Sequence, residues 1–158
     1  MKKTNLTAVL KDEYQSPKGR FRRFSQDISA AMRQGNGEKS RTMPWPFEVE
    51  LVRLPPRAVN WPYHSHSAQW EFYMIICGRG QVRTPAGRTE VGEGDYILHP
   101  PGEAHQLINT GATDLIYYII ADNPASDVCH YPDTNKLSVP GQAKPLRIHP
   151  TEYFDGEE

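Results

Sequence analysis

Residues 47–121 constrain the fold most, because they carry no helical hydrophobic period and break into eight short segments. Phe47-Glu48-Val49-Glu50-Leu51 alternates apolar and polar residues, the mark of a half-buried strand. Further strands are predicted at 58–66, 71–77, 80–84, 88–91, 95–99, 105–109 and 114–121. Turn-forming residues separate them: Cys77-Gly78-Arg79-Gly80, Pro85-Ala86-Gly87, Gly92-Glu93-Gly94 and Asn109-Thr110-Gly111. Eight short strands at this spacing fold as an antiparallel sandwich or barrel. The jelly roll is the eight-stranded arrangement that manages its edges. The fold class is all-β.

A length of 158 residues suits one domain with two flanking extensions. Residues 1–46 read as an irregular N-terminal arm with a short helix from about Gln26 to Gln34, capped by Ser25 and stopped by Gly35. Residues 35–46 read as loop. Residues 122–158 read as a C-terminal loop tail that wraps the barrel. The net charge of −1 hides an asymmetry, since residues 1–41 hold ten Lys/Arg against four Asp/Glu and the remainder hold eight against fifteen. Arg20-Phe21-Arg22-Arg23-Phe24 interleaves charge and aromatics as nucleic-acid binders do, but no helix-turn-helix pattern follows. The expected partner of this basic arm is the acidic body, not nucleic acid. Met1-Lys2-Lys3 leads into polar residues, and the longest apolar run, 115–121, is too short to cross a bilayer. Neither a targeting segment nor membrane insertion is expected. With only Cys77 and Cys129 there is no disulfide framework and no all-cysteine zinc site, so a cytoplasmic setting is expected.

The chemistry concentrates in four residues. His64 and His66 are two apart in a predicted strand, so both imidazoles face one side. Glu71 heads the next strand after a short turn, and His105 follows the rigid Pro100-Pro101-Gly102 turn. A lone His-x-His in a strand is usually no metal site. Three imidazoles and a carboxylate gathered in one barrel, however, make a mixed nitrogen and oxygen donor set suited to Fe, Mn, Ni, Zn or Cu.

The spacing resembles the cupin superfamily, whose two motifs are G-x5-H-x-H-x3,4-E-x6-G and G-x5-P-x-G-x2-H-x3-N. His64, His66, Glu71 and Gly78 match the first, with Ala58 in place of its opening glycine. Gly94, Pro100, Gly102, His105 and Asn109 match the whole of the second. The resemblance implies a cupin double-stranded β-helix, with one divalent transition metal held by His64, His66, Glu71 and His105. The tail Asp127-Val128-Cys129-His130-Tyr131-Pro132-Asp133 with Lys136 further resembles small bacterial single-barrel cupins. That likeness implies no particular reaction.

Strand parity sends Tyr73, Ile75 and Cys77 inward with Glu71, and Leu107 inward with His105. Gln69, Ile75 and Leu107 are thus expected to line the pocket, with Tyr73 and His99 as candidate acid–base groups. Cys129 and Cys77 are expected to be structural. Phe72, Met74 and Ile76 face outward as an apolar patch, which predicts a homodimer through the outer sheet face. The leading functional expectation is a mononuclear metal-dependent enzyme of oxygenase or oxidoreductase type, acting on a small oxygen-chelating substrate. A metal-dependent sugar or sugar-phosphate isomerase or epimerase is the alternative, with Arg53, Arg57, Arg79 or Arg83 as the phosphate binder. A non-catalytic ligand-binding or sensor protein is the third.

Overall fold

The computed structural model of the chain describes residues 1–34 and 45–157. Thirteen strands form three sheets among these residues. They are β1 (Asp12–Gln15), β2 (Arg22–Asp27), β3 (Phe47–Leu54), β4 (Ser65–His66), β5 (Glu71–Cys77), β6 (Arg79–Thr84), β7 (Gly87–Gly92), β8 (Tyr96–His99), β9 (Gln106–Asn109), β10 (Leu115–Asp122), β11 (Cys129–Tyr131), β12 (Lys136–Ser138) and β13 (Leu146–Arg147). The largest sheet runs β1-β2-β3-β10-β5-β8, a second runs β7-β6-β9, and a third runs β13-β12-β11-β4. The fold is the expected all-β jelly roll with little helix. No described helix is long and apolar enough to cross a membrane.

The core lies between the first two sheets. Val52, Leu54, Tyr73, Ile75, Leu115 and Tyr117 from the large sheet meet Val82, Val91 and Leu107 from the smaller one. Strand alternation produces this layer directly: along β5, Glu71, Tyr73 and Ile75 are buried while Ile76 is exposed. Gly78 permits the β5–β6 turn, with φ of +92° and a backbone so close to Asp114 that an added Cβ would strike its carbonyl oxygen. At the first cupin motif's opening position, the left-handed residue is Arg57 (φ +64°), not Ala58. Ala58 therefore needs no glycine freedom there, and its carbonyl accepts from the Asn109 N–H at 3.0 Å.

The flanks are more regular than their polar composition implies. β1 and β2 extend the large sheet through a β2–β3 pairing, in which Phe24 opposes Arg53. The arm thus docks on the body, and the Arg23 guanidinium covers the Trp61 ring at 3.3 Å. The helix, α1, spans Ile28–Gln34, two residues later than expected at its start. Gln26 is held in the strand, and Asp27, not Ser25, caps the helix by accepting from the Ala30 N–H at 2.6 Å. The expected stop at Gly35 and most of the 35–46 loop lie outside the described residues. In the tail, β11 to β13 form a small sheet that pairs with β4 and returns residues 127–131 to the barrel mouth.

Candidate metal centre

Two loops and two strand ends bring the predicted ligands together. The backbones of His64 and His105 exchange both hydrogen bonds, with N–H to carbonyl distances of 3.2 and 2.7 Å. This bridge sets the two rings 4.7 Å apart between centroids. Gly102, at φ +85°, turns its N–H onto the His66 carbonyl at 2.7 Å and so ties the second motif to the first. Asn109 locks the far end, donating to the Leu54 and Thr113 carbonyls at 2.7 and 2.8 Å.

The hydrogen bonds around the imidazoles fix which nitrogen faces inward. His64 Nδ1 lies 2.8 Å from the Pro62 carbonyl, His105 Nδ1 lies 3.1 Å from the Glu103 carbonyl, and His66 Nδ1 lies 2.6 Å from Asp127 Oδ2. Each partner is an acceptor, so each Nδ1 carries the proton and each Nε2 is left as a donor atom for a ligand. Metal-binding histidines are oriented in this way. His105 Nε2 in turn lies 2.7 Å from Glu71 Oε2. A neutral imidazole has one N–H, so acceptors on both nitrogens are satisfied only when a cation, a second proton or a metal ion, sits between Nε2 and Oε2.

Donor atoms of His64, Glu71 and His105, all buried, lie within 4.8 Å of one another. A second group of the same compactness joins His64 and His66 to Cys129. Three of the four expected ligands therefore share one cluster, and His66 reaches it through His64, at 5.1 Å between ring centroids. The residues fit a divalent transition metal by donor type and by orientation.

Electrostatics keep the donors in ligand-ready form. Burial, with His105 close by, pushes the His64 imidazole down to about 4. Burial alone would raise Glu71, but the His105 hydrogen bond and the neighbouring imidazoles outweigh it and hold the carboxyl at about 2. Asp127 is likewise held below its ordinary value, since the His66 contact and the Ala68 and Gln69 N–H groups outweigh its burial.

A cavity of about 300 Å³ opens above this cluster. His64, His66 and Glu71 form its floor, and Glu48, Glu50, Ile119 and Ala121 form one wall. Trp61, Gln69, Cys129 and Tyr131 close the other sides.

Residues 50–121 match the family model described as Cupin domain. The chain carries a cupin domain. A Thermotoga maritima relative named oxalate-binding protein is 30% identical over 69 residues, or 44% of this chain and 56% of the relative. The match thus spans about half the relative's length. The solved sugar phosphate isomerase of the cupin superfamily from Silicibacter pomeroyi DSS-3 superposes with TM-score 0.74 at 22% identity, over 92% of each chain. A predicted oxalate decarboxylase from Thermotoga maritima superposes with TM-score 0.60 at 19% identity, over 76% of this chain and 97% of that one. At such identities the likeness is one of fold.

Several expectations about the cupin pocket need correction. Ile75 and Leu107 point inward as parity requires, but they lie in the apolar core and not in the cavity lining. Gln69 does line the cavity, with its amide donating to the Asp122 carbonyl at 2.7 Å. Tyr73 is buried, and its hydroxyl donates to Glu71 Oε2 at 3.1 Å. Burial, reinforced by the Glu71 charge, raises its hydroxyl well above the ordinary tyrosine range. Tyr73 positions Glu71 and is no proton acceptor. His99 is neither exposed nor at the mouth: it pairs in register with Glu71, and its ring stacks on His105 at 3.8 Å and 7°. Its Nδ1 lies 3.1 Å from Glu103 Oε1. It backs His105 and is not among the residues that line the cavity.

Other cavity residues had no separate signal. Glu48 and Glu50 sit at the polar positions of an alternating strand, which normally face water. Here they share the β3 face of the core residues Val52 and Leu54, so the same alternation carries both carboxylates into the barrel mouth and leaves Val49 and Leu51 on the opposite face. Burial raises Glu50 above its ordinary value, opposed by a Ser25 hydrogen bond and by Arg23. Asp127 and Tyr131 belong to the tail motif, whose spacing was visible but whose destination was not.

Proposed function

We propose that the cupin domain is a metal-dependent enzyme that moves a proton on a small, uncharged, oxygen-chelating substrate of the hydroxy-carbonyl class. The supporting observation is Glu50, a half-buried carboxylate with a raised pKa in the wall of the cavity whose floor holds the nitrogen and oxygen donors. His64, His66, Glu71 and His105 would hold the metal. When bound, the ion supplies Lewis acidity to a chelated carbonyl oxygen. Glu50 takes the proton from the adjacent carbon and returns it, and a raised pKa suits a carboxylate to both tasks. Gln69 and Tyr131 offer polar contacts to substrate hydroxyls, while Trp61 and Ile119 exclude water.

Charge selects the substrate class. The lining carries Glu48, Glu50 and Glu71 and, among the described residues, no Lys or Arg. Arg53 pairs with Asp114, and Arg83 pairs with Asp133, both away from the cavity. Arg57 and Arg79 do not line it either. Glu48 is paired with Arg33 at 2.9 Å, so the remaining Glu50 and Glu71 balance a bound divalent ion and leave no side-chain cation in the described lining for a phosphate, which favours a neutral polyhydroxy ketone or aldehyde over a phosphate ester. The oxygenase reading draws on the same donor set but gives Glu50 no role.

The test is solvent exchange. Metal-loaded protein incubated in deuterium oxide with unphosphorylated aldoses and ketoses is expected to place deuterium next to the carbonyl. Glu50→Gln is expected to stop exchange while retaining the metal. Oxygen consumption without deuterium incorporation would replace this reading with the oxygenase.

The outer face of the large sheet supports a homodimer. Tyr96, Leu98, Ile76 and Ile120 are exposed there beside half-buried Phe72.

A further inference from the structure

Cys129 stands directly opposite His66 in the antiparallel ladder between β11 and β4. Directly opposed residues present their side chains on one face, with Cβ atoms about 5 Å apart. Cys129 Sγ and nitrogens of His64 and His66 accordingly lie within 4.8 Å of one another, and all three residues line the cavity. This sulfur-bearing group and the His64–Glu71–His105 group overlap only at His64. His66 thus belongs, in this arrangement, with the thiol.

We propose that Cys129 is a sulfur ligand to the metal ion of this cavity, a role that rests on reading the cavity as a metal site. Tetrahedral zinc, with bonds of about 2.0 Å to nitrogen and 2.3 Å to sulfur, holds its donor atoms roughly 3.3–3.6 Å apart. Small side-chain rotations close that distance from 4.8 Å. Two features keep the thiol in place. Asp127, two residues before it, grips His66 at 2.6 Å and accepts the Ala68 N–H at 2.8 Å. Tyr131, two residues after it, faces the thiol from the cavity wall. Both anchors sit on the segment that carries Cys129, so the thiol approaches His66 with the tail sheet behind it.

On ligation the S–H bond breaks, the sulfur–metal bond forms, and the proton passes to solvent, with no change of oxidation state. The donor sets then sort ions by softness. Harder ions such as Mn(II) take the nitrogen and oxygen donors around Glu71. Thiophilic ions such as Zn(II) and Co(II) recruit Cys129 with His64 and His66.

Optical titration of the full-length metal-free protein with Co(II) tests this. Wild type and Cys77→Ser are expected to show cobalt d–d bands together with a thiolate-to-cobalt charge-transfer band in the near ultraviolet. Cys129→Ser is expected to keep the d–d bands and lose the charge-transfer band. Its Zn(II) affinity should fall by more than the roughly tenfold that loss of an outer hydrogen-bond partner costs, with Mn(II) affinity unchanged. Wild-type d–d bands without charge transfer, or unaltered Zn(II) affinity in Cys129→Ser, would overturn the sulfur ligand and leave the metal site standing. Absence of any cobalt spectrum in all three proteins would overturn both.

Discussion

His66 Nδ1 and Asp127 Oδ2 lie 2.6 Å apart across 61 residues of chain. The contact makes the tail part of the site: it fixes the His66 tautomer and ties the β4 edge to β11. Because Asp127 also accepts the Ala68 and Gln69 N–H groups, one carboxylate holds the whole turn between His66 and Glu71.

Asp127→Ala is therefore expected to weaken metal binding by about 10- to 100-fold. Asp127→Asn, which keeps an acceptor oxygen, should lose less. Calorimetric titration with Ni(II) or Mn(II) measures both, and equal affinity in Asp127→Ala and wild type would remove Asp127 from the site.

Tyr73→Phe keeps the buried ring and deletes only the hydroxyl that donates to Glu71. A hydrogen bond to a charged group contributes about 1.5–3 kcal/mol. Urea unfolding of the metal-free variant should show a loss of that order. A variant as stable as wild type would show that His105 alone satisfies Glu71.

The His-x-His spacing and the likeness to the two cupin motifs made the gathering of His64, Glu71 and His105 readable from sequence, although His105 joins His64 through a long-range backbone bridge. Residues brought from afar outside the two motifs were not readable. Cys129 and Tyr131 reach the cavity, and Asp127 reaches His66, only because the tail sheet pairs with β4, some 60 residues back. Glu48 and Glu50 were concealed because the polar positions of Phe47–Leu51 read locally as the solvent face, whereas Val52 and Leu54 further along β3 make that face the barrel interior. His99 was expected among the acid–base groups of the pocket, but register with Glu71 carries its ring behind His105, on which it stacks.

Glu50 gives a pH dependence of defined sign. Its folded pKa lies above the unfolded value, mainly through burial. Between those two values the native state binds more protons than the unfolded state, so stability falls as pH rises through the window. Glu50→Gln removes this loss, and its stability gain over wild type should be larger at pH 8 than at pH 4. Denaturant melts of metal-free protein at the two pH values decide the matter, and a gain that shrinks with rising pH would contradict the assignment.

Leu98 and Tyr96 are 55% and 66% exposed on the outer sheet face. Leu98→Lys is expected to convert a dimer to a monomer in sedimentation velocity while leaving the metal content intact. A monomeric wild type would show that this face is not the dimer interface.

The most direct measurement is diffraction at a transition-metal absorption edge from crystals of protein purified without chelator. One anomalous peak per chain, within bonding distance of His64, His105 and Glu71, is the expected result. No peak, or a peak bonded to none of the three, would contradict the metal site on which the functional proposal stands.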